Sequence, residues 1–204
     1  MALPRNLAQT RYVNLLARTP VVIATGPAGT GKTLLACQSA ARSLVHGHVD
    51  RIVLTRPAIS VDEQHGYLPG DVAKKMEPWT RPMFDALGRY FTPKKVNDMM
   101  YDRRIEICPL AYMRGRTFDH AWILGDEMQN STPSQMKMLL TRLGENSQMV
   151  LTGDLDQHDR GYENNGLMDL LLRLQPSESI QHIAFTEDDV IRNEVIKEIL
   201  RFYA

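Results

Sequence analysis

Val21-Val22-Ile23-Ala24-Thr25-Gly26-Pro27-Ala28-Gly29-Thr30-Gly31-Lys32-Thr33 is the stretch that decides the fold. Its first five residues are short, largely apolar and β-branched, the kind of run buried in a parallel sheet. Leu34 to Leu44, rich in Ala and Leu, reads as a helix. Between them stands the spacing Gly26-x-x-x-x-Gly31-Lys32-Thr33. Glycines let a backbone wrap closely enough for several N–H groups to face phosphate oxygens, and the helix behind adds its positive N-terminus. Lys32 brings a charge for the β- and γ-phosphates, and the Thr33 hydroxyl is a ligand for Mg2+. An ordinary Gly-rich turn would not need the lysine or the hydroxyl. Gly26, Pro27, Ala28, Gly29, Thr30, Gly31, Lys32 and Thr33 are therefore expected to cradle a nucleoside triphosphate.

Further strands read outward from this unit: 51–55, 105–108, 121–124, 149–152 and 180–185, with helical patterns between most of them. That alternation predicts a three-layer α/β domain with a mostly parallel central sheet. Thr132-Pro133-Ser134-Gln135 has the form of a capping box. Met136, Leu139, Leu140 and Leu143 follow on one helical face, which Gly144 should end. Thr186-Glu187-Asp188-Asp189 opens a last helix with acids where the dipole favours them; Ile196, Ile199, Leu200 and Tyr203 form its apolar stripe. The segment from Arg56 to Ile105 is too long for a plain crossover and reads as a helical insertion between strands two and three. Its Trp79, Tyr90 and Phe91 could stack on bases, but form a small core more simply.

The chain has 204 residues, of which 43% are hydrophobic and 24% charged, a size and balance that fit one globular domain spanning 1–204. No run approaches a membrane span, and the start has no apolar leader. Cys37 and Cys108 form no CxxC, so a reduced, cytoplasmic setting is expected. No HExxH spacing occurs, and a histidine-built metal site is not expected. Charges balance at 24 basic and 24 acidic, but unevenly. Residues 1–70 hold 7 basic and 3 acidic, 71–120 hold 10 and 7, and 121–204 hold 7 and 14. A basic first part offers a face for a polyanion; the plainer reading is an acidic exposed tail end.

A triphosphate loop needs a second acid on the metal side, at the end of another strand. Asp126 stands there, after Trp122-Ile123-Leu124-Gly125. Glu127 comes next, placed to act as general base on a water in line with the γ-phosphate. Asp154 and Gln157, after the strand ending at Thr152, should lie beside that phosphate; a turn-capping Asp is the plainer alternative. Arg56, Arg114 and Arg116 follow strands and are candidates for contact with nucleic acid.

These stretches together resemble the PhoH family of P-loop ATPases. The resemblance rests on residues 26–33, Leu54-Thr55-Arg56-Pro57-Ala58, Gly66-Tyr67-Leu68-Pro69-Gly70-Asp71, and Pro109 to Thr117. It continues through Asp126 to Met138 and Leu151-Thr152-Gly153-Asp154, so that it covers nearly all of the chain. It implies a RecA-like fold similar to the first ATPase domain of superfamily-one helicases. It implies ATP hydrolysis coupled to single-stranded RNA or DNA, and a homo-oligomeric, six-membered ring. Asn6-Leu7-Ala8-Gln9 would be the upstream glutamine motif, with Gln9 reading adenine. Because such motors close the ATP site with an arginine from a second domain, a neighbouring copy would supply it here. Arg114, Arg142, Arg160 and Arg192 are candidates, with Arg192 and Arg142 first. The length, and the tract Gln157-His158-Asp159-Arg160, are similar to short phage-encoded members, which would place the protein in a host cytoplasm. The sequence departs from the family at Gly125, where a bulky apolar residue is expected. A strand glycine loses packing worth about 1 kcal/mol or less.

Two other functions compete. One is an ATP-dependent regulatory switch or protein-binding module with slow turnover, which suits zero net charge and a single RecA-like unit. The other, a small-molecule kinase, is disfavoured by Glu127 beside Asp126 and by the lack of an arginine-paired lid.

Overall fold

A computed structural model describes residues 3–57, 81–157 and 165–191. Six strands form one sheet: β1 (Val21–Thr25), β2 (Arg51–Thr55), β3 (Ile105–Ile107), β4 (Ala121–Gly125), β5 (Gln148–Gly153) and β6 (Ile180–Ala184). Their order is β3-β2-β4-β5-β1-β6, and each pairing is parallel. The sheet and its flanking helices form the expected three-layer α/β fold of RecA-like P-loop proteins.

Alternation along the strands builds two cores. Val22, Ala24, Ile52, Leu54, Trp122, Leu124 and Val150 point to one face, and Ile23, Val53, Ile123, Met149 and Leu151 to the other. The first face is covered by α1 (Leu7–Leu16), α2 (Lys32–Val45), a helix over residues 81–88 and α3 (Pro93–Tyr101). The second is covered by α4 (Pro133–Leu140) and α5 (Gly166–Arg173). In α2, Ala36, Cys37, Ala40 and Ala41 are fully buried. Small side chains at those positions let the helix lie close on the sheet. The helices at 81–88 and 93–101 supply the expected insertion between β2 and β3. Phe91 is buried in the first core with Tyr90 packed beside it, so these two rings build the insertion's core. Trp79 lies outside the described residues; the last helix, expected to open at Thr186, has there only a capped 3-10 turn, Glu187–Asp189, followed by an extended Val190, and its apolar stripe from Ile196 to Tyr203 lies outside the described residues. Among the described residues no helix is long and apolar enough to cross a membrane.

Two further expectations change. The capping box at Thr132 and Gln135 is present, but α4 ends at Leu140 and does not run on to Gly144. Residues 141 and 142 turn instead and Leu143 bridges to Phe118, so that the Phe118 amide donates to the Arg142 carbonyl and the Gly144 amide to the Phe118 carbonyl. A Cβ at Gly144 would stand 2.0 Å from the Asp119 carboxylate and 2.7 Å from the Phe118 carbonyl. This glycine permits a close chain crossing and is not a helix stop. Gly125 loses no packing either. Met128 Sδ and Leu151 Cδ2 lie 2.9 and 3.1 Å from where its Cβ would be, so their side chains fill the space.

Candidate functional site

Parallel strands put all their carboxyl ends at one edge of the sheet, where the helices that follow them begin. In open α/β sheets this is the edge where ligands bind. Residues 26–33 leave β1 there and enter α2. The loop needs left-handed backbone: Gly26 has φ 129° and Gly31, at the α2 N-cap, has φ 88°. A Cβ on Gly26 would strike the Phe185 carbonyl at 2.3 Å. The Lys32 ammonium lies inside the loop, donating to the carbonyls of Gly26 at 2.5 Å and Pro27 at 2.8 Å. Burial lowers its pKa from the ordinary lysine value, while Asp154, Glu127 and Asp126 pull the other way.

Asp126 follows β4, two strands from the loop, and is 4% exposed. Its Oδ1 accepts from Thr33 Oγ1 at 2.8 Å and from Thr152 Oγ1 at 2.5 Å. One carboxylate thus joins the first turn of α2 to the end of β5. Thr33 and Asp126 offer hard oxygens side by side, with a cavity of about 250 Å³ in front of them. That donor set fits Mg2+, which takes one or two protein oxygens and fills its octahedron with phosphate and water.

Glu127 comes next, with φ 54°. A left-handed conformation at a residue with a Cβ costs on the order of 1–3 kcal/mol, and such residues cluster at functional sites. The carboxylate accepts from Gln129 Nε2 at 2.6 Å and lies 3.5 Å from Arg56 Nη2. Gln129 is almost fully buried and binds three partners: Glu127, the Gln157 carbonyl and the Asp154 amide. It spans the ends of β4 and β5. Gln129 lies within the Asp126 to Met138 stretch, but neither its role nor that of Thr152 toward Asp126 was expected from the sequence. Both roles depend on which strands become neighbours, which spacing does not reveal.

The remaining expected residues fall in different places. The Asp154 carboxylate accepts from the Asp156 amide, as in a turn cap, while its residue and Gln157 line the same cavity as Lys32. Gln9 is buried behind the loop: its Nε2 donates to the Thr30 carbonyl at 2.8 Å, and its Oε1 accepts from the Arg5 amide. It braces the loop from the α1 side. Arg56 is at the site, against Glu127. Arg114 is exposed in the turn before β4. Arg116 is bound to Glu106 by two hydrogen bonds, at 2.5 and 2.9 Å, and lies over the Phe118 ring. Arg142 donates to the carbonyls of Met138 and Arg116 and to Thr141 Oγ1, capping α4 beside the start of β4. Arg160 and Arg192 lie outside the described residues, as does the stretch from Gly66 to Asp71.

The chain matches the family model described as PhoH-like protein over residues 1–204. It is 41% identical over 200 residues to a PhoH-like protein of Synechocystis, 98% of this chain and 61% of that one. It is 43% identical over 201 residues to a PhoH-like protein of Bacillus subtilis, 98% of this chain and 63% of that one. It is 41% identical over 206 residues to Protein PhoH of Escherichia coli, 99% of this chain and 58% of that one. The chain thus spans about three fifths of the length of these relatives. The family model matched over residues 1–204 and these relatives together show that this chain belongs to the PhoH-like family.

Proposed function

We propose that this chain binds ATP with Mg2+ at residues 26–33 and hydrolyses it to ADP and phosphate. One observation carries the reading: Lys32, Thr33, Asp126 and Glu127 meet around one cavity at the carboxyl edge of the sheet. In it, loop amides hold the phosphates, and Lys32 exchanges carbonyl partners for the β- and γ-phosphate oxygens. Thr33 and Asp126 hold Mg2+, which neutralises charge on those oxygens when bound. Glu127 accepts a proton from water as the water oxygen bonds to the γ-phosphorus. The bond from that phosphorus to the bridging oxygen breaks, leaving ADP. Gln9, held against the loop, selects adenine.

The finer reading is a motor coupled to single-stranded RNA or DNA, working in the cytoplasm as a homo-oligomeric, six-membered ring. It is supported by the basic first 120 residues and by Arg56 at the strand end beside Glu127. An arginine from a neighbouring copy completes each site; Arg192 suits this better than Arg142, whose guanidinium would first have to leave the Met138 and Arg116 carbonyls. The test is ATP hydrolysis with and without single-stranded polynucleotide across a salt series, with mass by light scattering. A stimulated rate that fades with salt supports the motor. Steady slow turnover indifferent to polynucleotide favours a regulatory switch, and a fully active monomer removes the ring. Mixing inactive Lys32→Ala chains with a finger variant should restore turnover, since each supplies what the other lacks.

A further inference from the structure

The residue read as general base and a residue read as meeting nucleic acid touch each other. β2 and β4 are neighbours with Thr55 opposite Gly125, and the Asp126 amide donates to the Thr55 carbonyl, extending the ladder. Arg56 and Glu127 therefore leave adjoining strand ends, and their side chains meet at 3.5 Å. Gln129 occupies the other side of the carboxylate. A base must offer a lone pair to water, and here Arg56 faces one oxygen of the Glu127 carboxylate while Gln129 donates to the other.

We propose that Arg56 is a positioning residue that restrains Glu127, and that the backbone phosphate of a single strand frees Glu127 by taking the Arg56 guanidinium. The proposal rests on Glu127 being the base. Its chemistry favours exchange. The Arg56 and Glu127 side chains are 21% and 36% exposed and 3.5 Å apart, so the pair is reached by solvent in part and held loosely. Phosphate matches the guanidinium fork with two parallel hydrogen bonds. The competing anion is a second one, not the nucleotide's own. Arg56 touches the far side of Glu127 and is not among the residues that line the cavity with Lys32 and Thr33, where the nucleotide phosphates would sit. Hydrolysis would then speed up only on a loaded strand.

If phosphate and Glu127 compete for one guanidinium, each must weaken the other's hold by the same factor. The first measurement is anisotropy of a fluorescein-labelled oligouridylate on the full chain, without nucleotide. Glu127→Gln should tighten binding roughly three-fold, the size of an exposed ion pair. In an Arg56→Gln background the same change should do nothing, and Arg56→Lys should fall between. An equal tightening in both backgrounds would reflect charge removal alone and overturn the latch. So would failure of the wild type to bind the oligonucleotide. The second measurement is turnover. Arg56→Gln should raise basal kcat toward the stimulated wild-type rate, abolish stimulation and leave KM for ATP unchanged. A fall in both basal and stimulated kcat would overturn the proposal. Wild-type turnover by Glu127→Gln would instead remove the base assignment, and the nucleotide-free binding cycle is read independently of that.

Discussion

The two ends of the sheet handle polar groups in opposite ways. At the carboxyl end, Lys32, Asp126 and Glu127 are brought together around an open cavity, with the N-terminus of α2 aimed into it. At the amino end, side chains close on backbone. The Asp119 carboxylate accepts from the Glu145 amide, Gln148 donates to the Leu16 and Thr19 carbonyls, and Arg142 caps α4. The larger cavity, about 470 Å³, is at this amino end, between the last turns of α1 and α2. Helix C-termini present carbonyl oxygens and a partial negative charge there, which suits no phosphate. Size therefore does not locate the site; helix direction does.

The contrast breaks most sharply under mutation of the loop end. Lys32→Ala should abolish hydrolysis and weaken nucleotide binding. Glu127→Gln should keep binding and slow turnover by about 10²-fold or more, the scale of a lost general base. Wild-type turnover in the Glu127 variant would end its role. Gln9→Ala removes the brace on Thr30 and leaves a buried carbonyl without its donor, a loss of about 1–3 kcal/mol. ATP should lose its advantage over GTP in this variant. Equal use of the two by the wild type would leave Gln9 as a brace alone.

The amino end should change stability without touching chemistry. Gly144→Ala drives a methyl into the Asp119–Phe118 crossing and should cost about 1–3 kcal/mol in denaturant melts, with kcat per folded molecule unchanged. Arg142→Ala should cost about 1 kcal/mol through lost hydrogen bonds to the Met138 and Arg116 carbonyls. A drop of ~10³-fold in turnover would make it the trans arginine instead. The smallest effect concerns the two thiols. Burial pushes the pKa of both Cys37 and Cys108 up, with Arg116 partly opposing this at Cys108. A thiol whose folded pKa is raised stays protonated through pH 8, so neither should react with a thiol reagent until the chain unfolds. Labelling of the native protein at the rate of a free cysteine would show that the core around that thiol opens, the α2 face for Cys37 and the opposite face for Cys108.

The sequence alone determined what depends on local chemistry. Residues 21–33 could be read as strand, loop and helix because β-branched runs, glycines and a lysine each restrict the backbone within a few positions. Asp126 and Glu127 could be read because they end an apolar run, and the Thr132 cap because its partner is three residues away. Tertiary structure decided everything that depends on strand order. Only the adjacency of β4 and β5 puts Thr152 on Asp126 and lets Gln129 span Glu127 and Asp154. Only the adjacency of β2 and β4 sets Arg56 on Glu127. The arginines show the limit best. Arg56, Arg116 and Arg142 look alike in sequence, as cations in or near loops. In the fold one meets the candidate base, one is clamped by Glu106, and one ties the α4 end to the Arg116 carbonyl. A long flexible cation takes its role from whatever acceptor the chain brings within reach, and those acceptors are 71, 10 and 26 residues away along the chain.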